Sequence, residues 1–387
     1  MLHGNVDATL LQVREIAKEV VAPFSAQVDE AGEWPAPGIR ALQDVGLGGM
    51  VIPKAYGGCG YGLLSLAKVC EILGQECAST AICFGMHCVG SSVIAANATA
   101  DQQERFIAPI CAGQHITTLS LSEAGTGAHF YLPETSLQAV DEHHYRLTGT
   151  KTFVTNGAHA DSYVVSAVTV DEGAPLAQFS CVVVPADAKG LEWGQPWDGL
   201  GMRGNSSRSM GLHGIEIPQS NLLGKEGEQI WYIFNVVLPH FLVAMAGTYL
   251  GAATTALEEA RRHLMRRYHT HSGSSLSQAS VMQHRLGTLW ASLERTRYLA
   301  YHAAASFDAG EPDALIALMS AKAEVAECSV SLVNESMTLC GGIGYRNGSV
   351  LHRLLRDVRA SHLMSPTTDI LRVWTGRALL GQPLLAD

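Results

Sequence analysis

The stretch SLSEAGTGAHF, Ser120 to Phe130, followed by GTKTFVTNGAHADSYVV, Gly149 to Val165, decides how this chain is read. A β-prone run, Thr117 to Ser122, breaks at Ala124-Gly125-Thr126-Gly127-Ala128. Alternation resumes at Tyr145 to Gly149 and runs into Lys151-Thr152-Phe153-Val154-Thr155-Asn156-Gly157. Strands of this kind put alternate side chains on one wall. Small residues in the break let a flat ligand or a phosphate approach the backbone. Ser122 and Thr155 add hydroxyls, and Phe153 adds an aromatic face. The combination suits a planar, hydrogen-bonding cofactor such as flavin.

Outward from this stretch the pattern changes in both directions. Before it, Leu10, Val13, Ile16, Val20 and Phe24 recur at helical spacing, and Gly38 to Asp44, Leu63 to Gly74, Ile82 to Asn97 and Gln102 to Cys111 also read as helices. After it, short β-prone runs such as Phe179 to Pro185 continue to Pro218, separated by Gly, Asn and Asp turns. From Ile230 strand signals fade, and Met245 to Tyr268, His284 to Ala309, Leu315 to Cys340, Val350 to His362 and Thr367 to Leu380 read as bundle helices. The expected fold is α+β and multidomain: a helical domain over 1–113, a β-barrel-like domain over 114–224 and a helical bundle over 225–387.

At 387 residues the chain can bury the cores of two or three domains. Its net charge of −10 argues against nucleic acid as a partner, which needs a basic surface. No apolar run reaches the roughly 20 residues of a membrane span. Met1 to Val13 lacks the basic start and apolar stretch of a secretion signal. Nine cysteines without a Cys-x-x-Cys pair point to buried thiols in a reducing cytoplasm, not to a disulfide framework. The histidine pairs, His143-His144 and His269-Thr270-His271, lack further ligands at metal spacing, so no metal is expected.

The two opening segments resemble the T/S-E-P-x-A-G-S-D turn and the G-x-K-x-W/F-I/V-T-N-G strand of the acyl-CoA dehydrogenase family. Gly46 to Gly58, Gly199 to Gly204 and Leu339-Cys340-Gly341-Gly342-Ile343-Gly344-Tyr345 with Arg353 and Arg356-Asp357 extend the resemblance from about Gly46 to Leu384. It implies FAD, which takes a hydride from the β-carbon of an acyl thioester while a carboxylate takes the α-proton. By position, Leu121 and Ser122 match the family residues at the flavin pyrimidine edge. Phe153 matches the aromatic against the ring, and Thr155 the hydroxyl near N5. Gly341 and Gly342 match a turn that approaches the FAD of a neighbouring subunit, which implies a homo-oligomer, a tetramer by family habit. Either Arg266 or Arg267 stands where the family places an FAD-phosphate arginine, and Thr367 and Asp369 fall at further cofactor positions. Met86, Ala128 and Met364 fall at substrate positions.

Several departures bear on the chemistry. Gly127-Ala128-His129 replaces Gly-Ser-Asp and loses groups near phosphate or substrate, so a carrier-protein thioester is as open as a CoA ester. Where many members carry Y-E-G-T with Glu as base, this chain has Met364-Ser365-Pro366-Thr367. A serine hydroxyl is far too weakly acidic to take an α-proton unaided. Ser365-Pro366 reads locally as an N-cap followed by a first-turn proline. The alternative family position, near Phe241-Leu242, offers no carboxylate. His87 is then the candidate base, on a helix that the resemblance places along the acyl pocket, with Asp369, His129 and His240 as further options.

Three functions follow. The first is α,β-dehydrogenation of an acyl thioester with a displaced base, passing electrons to an electron-transfer flavoprotein or another acceptor. The second is a flavin-dependent monooxygenase or oxidase on the same fold. The third is a non-catalytic flavoprotein. Fold alone does not choose among them.

Overall fold

The computed structural model describes residues 6–175 and 177–385; the outermost ends of the two expected outer domains lie outside the described residues. The chain opens with α1 (Val6–Ile16) and α2 (Ala22–Ala31), joined through a π-turn at Ala17–Val21. Next comes α3 (Ala36–Asp44), which carries Pro37 in its first turn, where no N–H is needed. The long core helices α4 (Leu63–Glu76) and α5 (Ala78–Ala96) follow, then α6 (Ala100–Gln102) and α7 (Ala108–Cys111) around a second π-turn.

The middle of the chain forms one sheet from β1 (Thr117–Ser120), β2 (Ser136–Ala139), β3 (His144–Val154), β4 (Ser162–Thr169), β5 (Phe179–Pro185), β6 (Leu191–Trp193), β7 (Arg208–Pro218) and β8 (Leu222–Leu223). The order is β6-β7-β3-β2-β4-β5-β8, an open path rather than a closed barrel. β1 and β2 both pair parallel with β4, β1 along Ser162 to Val165 and β2 along Val168 and Thr169. The chain must therefore leave the edge of β4 after β1 and rejoin it at Ser136. The excursion between them is the Ser122–Phe130 turn singled out in the sequence.

The rest is helical apart from a two-stranded antiparallel pair, Tyr268–His269 with Ser274–Ser275: α8 (Gln229–Tyr232), α9 (Leu238–Arg266), α10 (Ser280–Asp308), α11 (Ala314–Cys340), α12 (Val350–Leu363) and α13 (Thr368–Leu379). The bundle starts earlier than the expected Met245. A π-turn, Ile233–Val237, gives the Leu238 N–H a partner at Ile233 O, and Pro239 needs none, so the proline does not break the run. Two helical runs, Ala78–Ala96 and Gln229–Arg266, are long and apolar enough to cross a membrane, contrary to the sequence reading. The first is wholly buried in the fold and the second about two-thirds buried, so packing consumes their apolar surface.

The helical domains are locked to each other by unlike contacts. Asp308, at the end of α10, accepts from the N–H groups of Leu63 (2.7 Å) and Leu64 (3.0 Å), capping α4 from 245 residues away. Buried Glu71 of α4 pairs with Arg297 at 2.8 Å and accepts from the Tyr301 hydroxyl at 2.5 Å, both on α10. α4 and α9 touch backbone to backbone. A Cβ added to Gly247 would meet Ala67 O at 2.3 Å, and one on Gly251 would meet Glu71 O at 2.3 Å. Gly251→Ala should therefore push the helices apart and cost about 1–3 kcal/mol. Chemical denaturation checks it, with a control that has room for the added Cβ, Gly376→Ala, unaffected or slightly stabilised, since nothing lies within 4 Å of that atom.

Candidate active site

A cavity of about 450 Å³ opens where the sheet meets the helices. The Ser120–Gly127 segment and Phe130 form one wall, with Thr152, Phe153 and Thr155 beside them. Ile82 and Met86 of α5, Val237, Leu238 and Phe241 at the start of α9, Ala360 and Leu363 to Pro366 at the α12–α13 turn, and Trp197, Gly201, Met202, Asn205 and Ser207 from the segment before β7 line it too. The structure thus brings together Leu121, Ser122, Phe153, Thr155, Met86, Met364 and Ser365.

Phe153 owes its place to a bulge in β3. Lys151 pairs with Met210 and Val154 with Arg208, so Thr152 and Phe153 share the space of one residue on β7. Phe153 takes φ 55°, a costly conformation for a bulky side chain, and is 65% exposed, edge-on to Trp197 at 6.1 Å. A strained aromatic held open in a cavity fits a ligand face better than a core role. Asn156, also at positive φ, accepts from Trp34 Nε1 (2.9 Å) and donates to Cys83 O (2.9 Å), fixing the end of the strand against the first domain. The hydroxyls of Ser120 and Thr152 line the cavity and are buried without a protein partner. Such groups need a ligand or water, and with Ser122 and Thr155 they form a row of hydroxyls that the hydrogen-bonding edge of a planar cofactor would fit.

Behind this wall lies a buried ion pair. Lys151 Nζ donates to Glu123 Oε1 at 2.5 Å, Ser166 Oγ at 3.0 Å and Leu121 O at 3.2 Å. Glu123 also accepts from Glu134 N, Thr135 N and the Thr135 hydroxyl. Burial pushes Lys151 down to about 8 despite the nearby Glu123. Burial raises Glu123, but the charge and hydrogen bond of Lys151, with those of Thr135 and Glu134 N, outweigh it and hold the carboxyl below its ordinary value. Lys151→Met strands that carboxylate. It should cost about 3–5 kcal/mol and empty the site of flavin, read by denaturant unfolding and by visible absorbance after gel filtration. Lys151→Met with Glu123→Gln should recover part of the stability.

His87 is corrected. It is 3% exposed and lies outside the cavity lining, although its neighbour Met86 is part of that lining. Its Nε2 donates to Gly48 O at 2.8 Å while Nδ1 accepts from Thr117 N at 3.2 Å. Burial, helped by His115 and opposed by its backbone hydrogen bonds, lowers its pKa to about 4. With both ring nitrogens taken up by backbone, it has no lone pair for a substrate proton.

Ser365 lines the cavity but does not cap α13. The Thr367 hydroxyl accepts from Ile370 N at 3.4 Å, and the helix starts at Thr368, two residues later than the Ser-Pro pair suggested. Phe241 lines the cavity, at the other family position for a base. Among the described lining residues Glu123 is the one carboxylate, and it is locked to Lys151. Ala128, Thr367 and Asp369 are not in the lining; Asp369 is an exposed first-turn acid of α13. His129 and His240 are likewise outside it, and His240 Nδ1 contacts Val236 O at 2.8 Å.

Arg266 and Arg267 line a second cleft of about 310 Å³ with Ile343, Gly344 and Ser349. The fold thus gathers the arginines at the end of α9 and the glycine turn at the end of α11, although Gly341 and Gly342 themselves are outside the lining. Arg356 and Asp357 act structurally. Arg356 pairs with Asp29 and donates to Leu200 O at 3.0 Å, and buried Asp357 accepts from Met202 N at 2.7 Å. Together they seat the Leu200–Arg203 loop, which contributes Gly201 and Met202 to the first cavity. Sequence reasoning missed Trp197, Phe130, Asn205 and Ser207 as lining residues. Of these only Trp197, in an otherwise polar Gly-rich run, carried a local signal.

Family models for the N-terminal, middle and C-terminal domains of acyl-CoA dehydrogenase match residues 7–114, 118–214 and 231–380. The short-chain specific acyl-CoA dehydrogenase of Clostridium acetobutylicum is 28% identical over 93% of this chain and 94% of its own. The cyclohex-1-ene-1-carbonyl-CoA dehydrogenase of Geobacter metallireducens is 29% identical over 96% and 97%. Among solved structures, one of the electron transferring flavoprotein of Acidaminococcus fermentans contains a chain that superposes with TM-score 0.91 at 27% identity, covering 100% of this chain and 99% of that one. Butyryl-CoA dehydrogenase of Megasphaera elsdenii shares the fold, with TM-score 0.91 at 24% identity, over 97% of this chain and 98% of its own.

Proposed function

Because the chain belongs to the acyl-CoA dehydrogenase family, FAD-dependent oxidoreductases acting on CH–CH groups, we propose that it oxidises a short acyl thioester whose hydride goes to FAD and whose α-proton, without a carboxylate base, goes to water or to a basic group that the substrate brings. When bound, FAD supplies the acceptor for a hydride from the substrate β-carbon. The observation that carries the reading is a cavity that keeps the hydroxyl and aromatic wall while the one carboxylate among its described lining residues, Glu123, is locked in an ion pair.

Phe153 offers the ring face, and Ser122, Thr155, Ser120 and Thr152 offer hydrogen bonds along the edge. Ile82, Met86, Phe130, Leu238 and Phe241 give an apolar end that excludes water and takes the acyl group. A space of about 450 Å³, shared between a cofactor ring and the acyl chain, supports a short substrate. So do relatives named as short-chain dehydrogenases. Ser365 faces the acyl site where many relatives place the base, and it accepts no proton at neutral pH. Loss of a general base typically costs about 10²–10⁴-fold. Wild-type protein mixed anaerobically with butyryl-CoA should therefore bleach its flavin slowly or not at all, and Ser365→Glu should speed the bleaching within that range. Fast bleaching by the wild type would overturn the reading.

The second cleft supports an assembly in which the diphosphate end of the cofactor is held by a neighbouring copy, since Arg266, Arg267 and Gly344 share no cleft with Ser122 and Thr155. We expect a homotetramer. Sedimentation at micromolar concentration checks it, and a flavin-bound monomer would contradict it.

A further inference from the structure

Lys322 lies within α11 with 2% of its surface exposed, and its Nζ donates to Pro366 O at 2.9 Å and to Met364 O at 3.3 Å. Those two carbonyls bracket Ser365, and Met364, Ser365 and Pro366 all line the first cavity. The turn has further ties only at its edges: Met364 N bonds to Ala360 O at 3.0 Å, and the Tyr249 hydroxyl contacts Met364 Sδ at 3.6 Å. Pro366 has no N–H to contribute.

We propose that Lys322 is a positioning residue for this site, its Nζ donating to both carbonyls and so setting how far Ser365 projects into the acyl cavity. The clamp rests on the reading of that cavity as an acyl-thioester site.

Energetics separate this role from a merely structural one. Burial lowers the Lys322 pKa from 10.5 to about 7, with no carboxylate to hold it up. His362 on α12 is also held low, by burial first and then by Arg359 and Lys322, against Glu327. Between about pH 7 and 10.5 the unfolded chain keeps a proton that the folded chain has released, so stability rises with pH across that window. At pH 7 and below, most or all of the cost of the buried lysine is carried. A methionine of similar length removes that cost while leaving the two carbonyls unclamped. A positioning role thus predicts a split: the fold is no weaker, but the turn is looser.

The experiment compares flavin-loaded wild type and Lys322→Met at pH 7. Three readings are taken: the melting temperature, hydrogen exchange over residues 360–370, and calorimetric binding of butyryl-CoA with the accompanying shift in flavin absorbance. We expect a melting temperature at or above that of the wild type. Amides of Met364 and Ile370, which bond to Ala360 O and the Thr367 hydroxyl on either side of the clamped carbonyls, should exchange about tenfold faster, while β3 exchanges as before. Butyryl-CoA affinity should fall about tenfold, with an altered absorbance shift at unchanged flavin content. A variant that fails to fold, that melts lower with the turn still protected, or that exchanges like the wild type over 360–370 overturns the clamp. If the wild type does not bind butyryl-CoA, the substrate reading falls, and exchange over the turn still decides the clamp.

Discussion

The buried pair Glu123–Lys151 is the interaction on which the rest of the site depends. It joins a turn that leaves the edge of β4 to a strand that bulges beside it, and both carry residues of the cofactor wall. Taking two charges out of water is costly, and the attraction repays it only when the remaining lone pairs and protons are also satisfied. Here they are. Glu123 accepts from a lysine, two backbone N–H groups and a hydroxyl, and Lys151 donates to three acceptors. A fully satisfied buried network rigidifies its surroundings. Leu121 is held through its carbonyl, and the Ser122 carbonyl accepts from Thr152 N at 2.8 Å, so the two halves of the wall move as one.

The helices do the complementary work of bringing apolar side chains to that wall. The Asp308 cap on α4, the Glu71 pair with α10 and the close glycine contacts fix α4, α9 and α10 together. α5 is packed on every side, so Ile82 and Met86 reach the cavity from a rigid element. Arg356 with Asp29, and Asp357 with Met202, tie α12 to both the first domain and the loop between β6 and β7. The burial of Asp357 raises its pKa to about 6, the electrostatic cost of fixing that loop.

What the sequence disclosed, and what it withheld, follows from the range of the interactions. That Leu121, Ser122, Phe153 and Thr155 share one cavity was legible because they lie in two short segments whose spacing is local, the first pair before a glycine break and the second around a bulge. The bundle helices were legible from their period, apart from the start at Gln229, where a π-turn absorbed a proline that reads as a break. The role of His87 was not legible. Neighbours on a helix differ by about 100° in direction, and that angle separates Met86 in the cavity from His87 against Gly48 and Thr117. The Ser365-Pro366 pair imitated a cap two residues too early, because Thr367 offers a hydroxyl for the same duty. The partners of Glu123 and Lys322 come from distant parts of the chain, and no local pattern encodes them.

The replacement at position 365 changes the electrostatic logic of the proposed site. A carboxylate base works by accepting a proton, and its strength depends on how far burial raises its pKa. With serine there, the lining holds no free anion, and what remains are donors: Ser120, Ser122, Thr152 and Thr155, two of them buried without a protein partner. In the proposed reading these donors serve the cofactor edge, so the apolar acyl end neither takes the α-proton nor strengthens the carbon acid. In the proposed reading such a site selects substrates whose α-carbon is already acidic, or that bring their own basic group, and discriminates against plain saturated chains. The lysine behind the turn fits the same logic. Lys322 meets only carbonyl dipoles at the bracketing residues, and the bracketed residue brings no charge of its own. A wall built this way is neutral toward the ligand and rigid behind it.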